Sequence, residues 1–148
     1  IHKYINEYKM DRLSSKDEIM YNNNGVGLAH PQVAGNNRIF VMGNKKTSEI
    51  VINPEIEKQS ALIEKEEEGC LSFPELWMPV KRAKTILAKW NMTNGRVKRE
   101  FFSDFEARCF QHELDHLDGI CFDKRVSKLV LDRATNKKRK LRKNARQN

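Results

Sequence analysis

Apolar and polar positions follow two patterns along this chain, one typical of helices and one typical of strands. Near the start, the apolar residues at positions 1, 4, 5 and 8 have the i, i+3, i+4, i+7 spacing of an amphipathic helix. A second helix is predicted to begin near Ser15, which forms a capping box with Glu18, and to end in the Asn-rich turn at 22–25. The sequence therefore predicts an N-terminal helical region.

Short runs of β-branched and aromatic residues, separated by clusters of Gly, Pro or Asn, occupy the middle of the chain and predict β-strands. The predicted strands cover residues 38–42, 49–52, 61–65, 84–90 and 96–102. Asn94 and Gly95 lie between the last two strands. This dipeptide predicts a hairpin with a type I′ turn, because both central residues of such a turn need a positive φ angle.

Two further helices are predicted after the strands. Ser103 and Glu106 form a capping box for a helix that should run to about Leu117 and end near Gly119. The apolar residues of this helix cover a wide arc, so we expect it to be largely buried. Ser127 can cap a final helix, whose few apolar positions among many cations indicate that it is mostly exposed.

The length of the chain predicts a single domain, and its charged residues are unevenly distributed. With 148 residues the chain is expected to form one domain, residues 1–148, and no apolar run approaches the roughly 20 residues that span a bilayer. The net charge of +8 is concentrated in residues 124–148, which hold eleven Lys or Arg residues against Asp132. We interpret residues 127–148 as a basic C-terminal helical extension, which is either a solvated surface or a contact for polyanionic RNA.

The number and spacing of the cysteines give information on the cellular location of the protein. Cys70, Cys109 and Cys121 form no CxxC pair and no even-numbered framework, which favours a reducing environment. We therefore expect a cytoplasmic protein, either bacterial or, if the gene is viral, in the cytoplasm of the host. The first residue is Ile1 rather than Met, so we expect the start of the gene product to be missing, and an organellar location stays open.

The most informative motif lies on the predicted buried helix. Residues 112–116 read HELDH, so His112 and His116 lie on one helical face and can bind one metal ion beside Glu113. Two hydrogen-bonded core histidines are the alternative. A catalytic metal needs a third protein ligand, which must come from upstream because no His or Glu follows His116. Cys70, in a stretch with a neighbouring glycine, is a candidate, although a lone Cys is more often core filler.

Three segments together resemble the signature motifs of the peptide deformylase family, namely GVGLAHPQ at 25–32, EGCLS at 68–72 and QHELDH at 111–116. They occur in the order of the family and at plausible separations, and the resemblance extends from about residue 17 to residue 126. It implies an α+β fold in which antiparallel β-sheets pack around a central α-helix that carries HExxH. The N-terminal helical region and the basic C-terminal helix would complete this single catalytic domain.

The resemblance also implies an activity, which is hydrolysis of the N-formyl group from the N-terminal formyl-methionine of newly synthesised polypeptides. Cys70, His112 and His116 would hold one divalent metal ion per chain, Fe2+ natively, with Zn2+, Ni2+ or Co2+ able to occupy the site. Metal-bound hydroxide would be the nucleophile, and Glu113 would be the general base and then the general acid. The other site residues carried over from the family are Gln32 and the backbone N–H of Leu71 as oxyanion donors, and Val26, Gly27, Gly69, Phe105, Arg108 and Cys109 as substrate contacts.

One position departs from the family pattern, because His30 stands where the family usually has a small Ala, and we expect its imidazole to be packed or solvated. Two other functions stay open. A metallopeptidase built on the HExxH helix predicts a downstream third ligand and internal peptide cleavage. A non-enzymatic RNA-binding domain predicts salt-dependent RNA binding through the basic tail. The implied partners of a deformylase are N-formylmethionyl peptides and, through the basic tail, the ribosome; no membrane contact is expected.

Overall fold

A computed structural model describes residues 26–33, 36–43 and 48–145 of the chain. The strands are β1 (Gly27–Ala29), β2 (Ile39–Gly43), β3 (Ser48–Gln59), β4 (Ile63–Cys70), β5 (Phe73–Ala83), β6 (Thr85–Asn91) and β7 (Val97–Ser103). The helices are α1 (Asp104–Leu117) and α2 (Lys128–Asn144), and short 3-10 turns cover His30–Val33 and Phe122–Arg125. An antiparallel five-stranded sheet has the order β1-β2-β3-β6-β7, and β4 pairs with β5 in a separate sheet.

The predicted α+β class with antiparallel sheets is confirmed, and each predicted strand overlaps an observed one. The strands β1 and β5 were not predicted. β1 has three residues, too few for a recognisable pattern, and β5 contains Pro74 and Pro79, which argue against a strand in a central position. Among the described strands, β5 pairs with β4 alone, and a strand with one neighbour tolerates proline on its free side. The two predicted N-terminal helices lie outside the described residues.

The β6–β7 hairpin is confirmed, but its predicted type I′ turn is wrong. Gly95 has a φ angle of 82°, whereas Asn94 does not adopt a positive φ angle. The N–H of Gly95 donates to the carbonyl of Met92 at 3.0 Å, and the N–H of Met92 donates to the carbonyl of Arg96 at 2.8 Å. The loop is therefore longer than a two-residue turn, and it needs a left-handed conformation at its glycine alone.

An aromatic core holds α1 against the large sheet. The ring of Phe110 lies 5.1 Å from that of Phe40 and 5.6 Å from that of Phe102, and Trp90 stacks on Phe102 at 5.8 Å. Aromatic pairs at these centroid distances stabilise the core beyond the area that they bury. Since Phe110 fixes one side of α1 in this core, the adjacent stripe of the helix faces the β4–β5 sheet and carries the histidines.

The start of α1 lies where it was predicted, but the capping box does not form. Ser103 is extended, with φ −130° and ψ 160°, and its side chain makes no capping hydrogen bond. Asp104 has a φ angle of 51°, and its N–H donates to the carbonyl of Lys84 at 2.9 Å. This backbone bond to the neighbouring loop satisfies one of the donors at the helix start that have no partner within the helix.

The helix α2 lies on β5 through a second apolar cluster. Leu76, Met78, Val80 and Phe122 are buried there, and half-buried apolar side chains of α2 pack against them, namely Val130, Leu131 and Ala134. The hydroxyl of Ser127 accepts a hydrogen bond from the N–H of Val130, as the capping prediction required. No residue of α2 is buried, which confirms that this helix is mostly exposed. Among the described residues, no helix has the length and apolar character needed to cross a membrane.

Candidate metal centre and active site

Cys70, His112 and His116 converge at the junction of β4 and α1. The sulfur of Cys70 lies 3.2 Å from Nε2 of His116, and that nitrogen lies 3.3 Å from Nε2 of His112. One ligand atom from each residue falls within 4.8 Å of the others. A register shift between Gly69 and Cys70 ends the regular β4–β5 pairing, and the cysteine lies at this irregular end of the strand.

This donor set fits a divalent transition metal. Thiolate and imidazole are usual ligands of such ions, and two nitrogens bound at about 2.1 Å to one tetrahedral ion lie about 3.4 Å apart. The observed separation between the two Nε2 atoms is close to that value. Burial, followed by the proximity of His112, lowers the pKa of His116 to about 4, so His116 is neutral at pH 7 and has a lone pair for a metal.

Glu68 connects the candidate ligands to a buried charge network. One of its carboxylate oxygens lies 3.0 Å from Nδ1 of His112, which leaves Nε2 of that ring to face the centre. Arg82 donates to both oxygens of Glu68 at 2.9 and 3.0 Å, and Arg108 donates to one at 2.7 Å. Burial alone would raise the pKa of Glu68, but the hydrogen bonds from His112 and Arg82 bring it to about 2.

The network continues to the other side of α1. Arg82 also donates to Asp115 at 2.5 Å, and Arg125 donates to both oxygens of Asp115. The side chains of Arg82, Glu68 and Asp115 are less than one tenth exposed. Sequence reasoning assigned no role to Glu68 or Arg82 and gave Arg108 only a substrate contact, because no pattern shows which of the many charged residues pair with one another in the interior.

We expect Glu68→Gln to weaken metal binding roughly 10- to 100-fold, because the ring of His112 would lose its orienting carboxylate. It should also lower the free energy of unfolding by about 3–5 kcal/mol, since Arg82 and Arg108 would be left buried with too little negative charge. Metal titration and urea unfolding measure the two effects. Glu66→Gln is the matched control: this exposed carboxylate also accepts from Arg108, at 3.2 Å, and its loss should change stability by about 1 kcal/mol or less. Equal effects of the two variants would contradict this role of Glu68.

Glu113 is buried beside the candidate metal ligands and faces β1. Its Oε2 atom has no hydrogen-bond partner among the described residues. Burial, with a smaller opposing contribution from Arg82, raises the pKa of Glu113 to about 8, and a divalent cation beside it would favour the ionised form. A Cβ atom on Gly27 would lie 2.3 Å from Oε1 of Glu113, so glycine is required at that position of β1.

A cavity of about 620 Å3 is lined by Glu113 and by two of the candidate metal ligands, Cys70 and His112. It brings together nearly all the site residues expected from the sequence, namely Val26, Gly27, Gln32, Gly69, Cys70, Leu71, Phe105, Arg108, Cys109, His112 and Glu113. His116 lies behind this lining but joins the candidate metal ligands. Arg108 lines the cavity with its guanidinium already engaged by the protein, because it donates to Glu66, Glu68 and two backbone carbonyls.

The side chain of Gln32 is held between β1 and the cysteine. Its Oε1 accepts from the N–H of Ala29 at 2.8 Å, and its Nε2 donates to Ser72 at 3.1 Å and lies 3.7 Å from the sulfur of Cys70. His30 lies outside the cavity lining; it is buried, and its Nδ1 accepts from the N–H of Asn37 at 3.2 Å. The imidazole of His30 is therefore packed, in agreement with the expectation.

Comparisons with known proteins agree with this geometry. The family model for polypeptide deformylase matches residues 5–132 of the chain. A peptide deformylase of Thermotoga maritima is 46% identical over 110 residues, which cover 74% of this chain and 67% of the relative. One from Synechocystis is 40% identical over 114 residues, which cover 74% of this chain and 61% of the relative. The match thus spans about two thirds of the length of these curated relatives.

Solved structures of the same family share the fold. A crystal structure of a peptide deformylase from Legionella pneumophila matches with a TM-score of 0.82 at 30% identity, over 94% of this chain and 83% of that one. A Met-Ala-Ser-bound peptide deformylase from Acinetobacter baumannii matches with a TM-score of 0.69 at 36% identity, over 72% of this chain and 74% of that one. Together with the sequence relatives and the family model, these likenesses establish that the chain belongs to the peptide deformylase family.

Proposed function

We propose that this chain removes the N-formyl group from the formyl-methionine at the start of new polypeptides, as a metal-dependent amide hydrolase. The observation that carries the proposal is the convergence of Cys70, His112 and His116 at a cavity where the buried carboxylate of Glu113 has an oxygen without a partner among the described residues. The relative from Acinetobacter baumannii was solved with the peptide Met-Ala-Ser, which has the form of a deformylated product and supports a methionyl peptide as the ligand.

Peptide deformylases are metal-dependent, and Cys70, His112 and His116 are the residues that we propose to hold the ion, Fe2+ in the native enzyme. When bound there, the ion supplies Lewis-acid chemistry, which lowers the pKa of water and polarises the formyl carbonyl. Thiolate and imidazole donors also suit Zn2+, Ni2+ and Co2+, so the metal supply in the cell decides which ion is present. Glu68 keeps the ring of His112 oriented for this role.

Glu113 is proposed to move the protons of the reaction. Its Oε2 atom makes no hydrogen bond to the described residues, so it can accept a proton from the attacking water. The same carboxyl group then delivers the proton to the departing amine of the methionine. Because Gly27 has no side chain, the peptide and the carboxyl group can approach each other closely across β1.

The oxyanion that forms on the formyl group needs donors. We propose the side-chain amide of Gln32 and the backbone N–H of Leu71, both of which line the cavity. The bonds of Gln32 to Ala29 and Ser72 support this role, since they hold its amide beside Cys70 before substrate arrives. A preorganised donor of this kind is worth about 3 kcal/mol in the transition state.

The substrate is proposed to bind as an extended chain between β1 and β4. Val26, Gly27 and Gly69 would lie along its backbone, where the glycines permit close approach. The side chain of methionine would enter the interior beside Phe105, Cys109 and His112, together with the aliphatic stem of Arg108. The guanidinium of Arg108 is held by acidic partners, so only its stem is available to an apolar side chain.

Turnover of formyl-Met-Ala by protein loaded with iron under anaerobic conditions tests the function directly. We expect release of formate and Met-Ala, with about one metal ion per chain by elemental analysis. Internal cleavage of unformylated peptides, with no release of formate, would instead favour a metallopeptidase. The upstream position of Cys70 argues against that alternative, which predicts a third ligand after His116.

We further propose that α2 contacts ribosomal RNA, so that the enzyme meets new chains as they leave the ribosome. Residues 124–148 carry eleven Lys or Arg residues, and no residue of α2 is buried. Arg125 and Arg142 pair with acidic residues, but Arg133, Lys137 and Lys140 are exposed and form no ion pair among the described residues, so they are available to phosphates. The bacterial relatives support the expected cytoplasmic location, where translation takes place. Deletion of α2 is a poor test, because its apolar face covers the cluster around Phe122.

If α2 contacts the ribosome, reversing the charge of its exposed cations should weaken ribosome binding. Changing the exposed Arg133, Lys137 and Lys140 to Glu should weaken sedimentation with ribosomes at low salt by tenfold or more, an order-of-magnitude expectation, because phosphate contacts are lost and repulsion is added. Turnover of formyl-Met-Ala should not change. The matched control replaces three exposed cations outside α2, namely Lys58, Lys81 and Arg96. Equal weakening in the control would show attraction by net charge alone and would contradict a contact through α2.

A further inference from the structure

Trp77 presents a large apolar surface at the mouth of the cavity. Its side chain is 62% exposed, whereas Trp90 is 1% exposed in the aromatic core. Trp77 lines the same cavity as Phe105, which is 60% exposed. Exposed indoles are uncommon away from contact surfaces, because burying an indole releases a large apolar area from water. The buried Oε2 of Glu113, which has no hydrogen-bond partner among the described residues, belongs to a residue of the same cavity lining and independently points to a ligand there.

The indole of Trp77 lies against Gly69. The two residues are directly paired in the β4–β5 ladder, and a Cβ atom on Gly69 would meet the indole ring at 3.0 Å. Any other residue at position 69 would push the ring away. The missing side chain of Gly69 therefore lets the indole lie close to β4, along which we propose that the substrate binds.

Side chains along β4 point alternately to its two faces, and this determines which substrate side chain reaches the indole of Trp77. Glu68 points to the interior, where its carboxylate contacts His112, so Gly69 and Trp77 face the opposite side of the sheet. Successive side chains of an extended substrate also alternate. If methionine enters the interior beside Cys109 and His112, the side chain of the next residue points to the face that carries Trp77.

This face carries charges of both signs, and its part at the cavity is acidic. Glu67 and Glu75 line the cavity, whereas Lys65 and Lys81 share the face but lie outside the lining. Glu67 lies two residues before Gly69 on the same face of β4, diagonally across the ladder from Trp77 and within reach of a long side chain beside the indole. Its carboxylate is exposed and pairs with no cation among the described residues, whereas Glu75 at the same rim is paired with Arg142 at 2.5 Å. The cation in the described cavity lining is Arg108, and its guanidinium is held by acidic partners.

We propose that Trp77 and Glu67 form a subsite for a cationic side chain, Lys or Arg, at the residue that follows formyl-methionine. The alkyl stem and charged head of that side chain lie over the indole, where the face of the ring attracts a cation. The carboxylate of Glu67 pairs with the charged head. This inference rests on the proposed deformylase function and deepens it, because it defines which new chains the enzyme processes fastest.

The test compares kcat/KM of the iron-loaded full chain for formyl-Met-Lys-Ala, formyl-Met-Ala-Ala and formyl-Met-Glu-Ala. We expect the Lys peptide to exceed the Ala peptide about fivefold, mainly through KM, with the Glu peptide lowest. Trp77→Ala and Glu67→Gln should each reduce the ratio of Lys to Ala by about half or more, while Trp77→Phe keeps part of it. Raising the salt concentration should also reduce the ratio in the unaltered protein.

Two variants outside the cavity serve as matched controls, and both should leave the ratio unchanged. Phe101→Ala removes an aromatic side chain that is 75% exposed on β7, and Glu55→Gln removes an exposed strand carboxylate on β3. Equal kcat/KM values for the three peptides, or an undiminished ratio in both cavity variants, would overturn the subsite while leaving the deformylase function intact. Failure to release formate from any peptide would count against the function itself and would remove the basis of the subsite.

Discussion

Replacing Glu113 by Gln is expected to lower kcat for formyl-Met-Ala roughly 100- to 10,000-fold while the protein keeps its metal. Gln has nearly the shape of Glu but cannot accept the proton of water or return it to the amine. Glu113 contributes no atom to the cluster of candidate ligands, so metal content should stay near that of the unaltered protein. Steady-state kinetics and elemental analysis of the same preparation measure both quantities.

Glu106→Gln is the matched control for this prediction, because Glu106 is an exposed acid in the first turn of the same helix. It should leave kcat within about twofold, since exposed substitutions away from special features have small effects. If Glu113→Gln retained full activity with a full metal content, the proposed proton transfer through this carboxyl group would be wrong. If the variant lost its metal as well, Glu113 would have a structural role at the centre.

The convergence of the candidate metal ligands was largely predictable, because helical geometry leaves the two histidines little freedom. The spacing of His112 and His116 places both rings on one face of any α-helix, and the structure brings their Nε2 atoms to 3.3 Å. The residue type of Cys70 alone was weak evidence for a metal ligand, because a lone cysteine is more often core filler. The prediction rested mainly on the EGCLS motif and its resemblance to the family. In the structure the irregular end of β4 turns its sulfur toward His116.

The buried charges could not be predicted in the same way. Glu68 stands in a run of acidic residues, and only the fold distinguishes it from its exposed neighbours Glu66 and Glu67. Its partners Arg82 and Arg108 come from β5 and α1, more than ten residues away along the chain. Such pairs depend on how sheets and helix pack, and a pattern read along one segment contains no information on that packing.

In the fold, too, features set by nearby residues were predictable, whereas features set by tertiary packing were not. Strands with β-branched and aromatic residues were predictable, whereas β5 was hidden by its prolines and by the charged residues Lys81 and Arg82 near its end. The capping box at Ser103 does not form, and the loop before β6 supplies a carbonyl to the N–H of Asp104. Local rules predicted where α1 begins but not which atoms satisfy its first donors.

Cys70→Ala is expected to abolish stable metal binding, because two imidazoles would remain of a three-residue ligand set. The loss of affinity should exceed the roughly 10- to 100-fold loss expected for an outer partner such as Glu68. Formate release should fall with the metal content. The rise in Tm that added metal gives the unaltered protein should disappear, since an ion stabilises a fold only when it binds the native state.

Cys121→Ala is the matched control, because Cys121 is also a half-buried free thiol near this region but contributes no atom to the candidate ligands. It should keep about one metal ion per chain and the Tm response to metal. The contrast between the two variants separates loss of a ligand from loss of a thiol in general. Retention of metal by Cys70→Ala would exclude this cysteine as the third ligand and would indicate that an acidic residue of β4 fills that position. In that case Glu68, already in contact with His112, would be the first candidate.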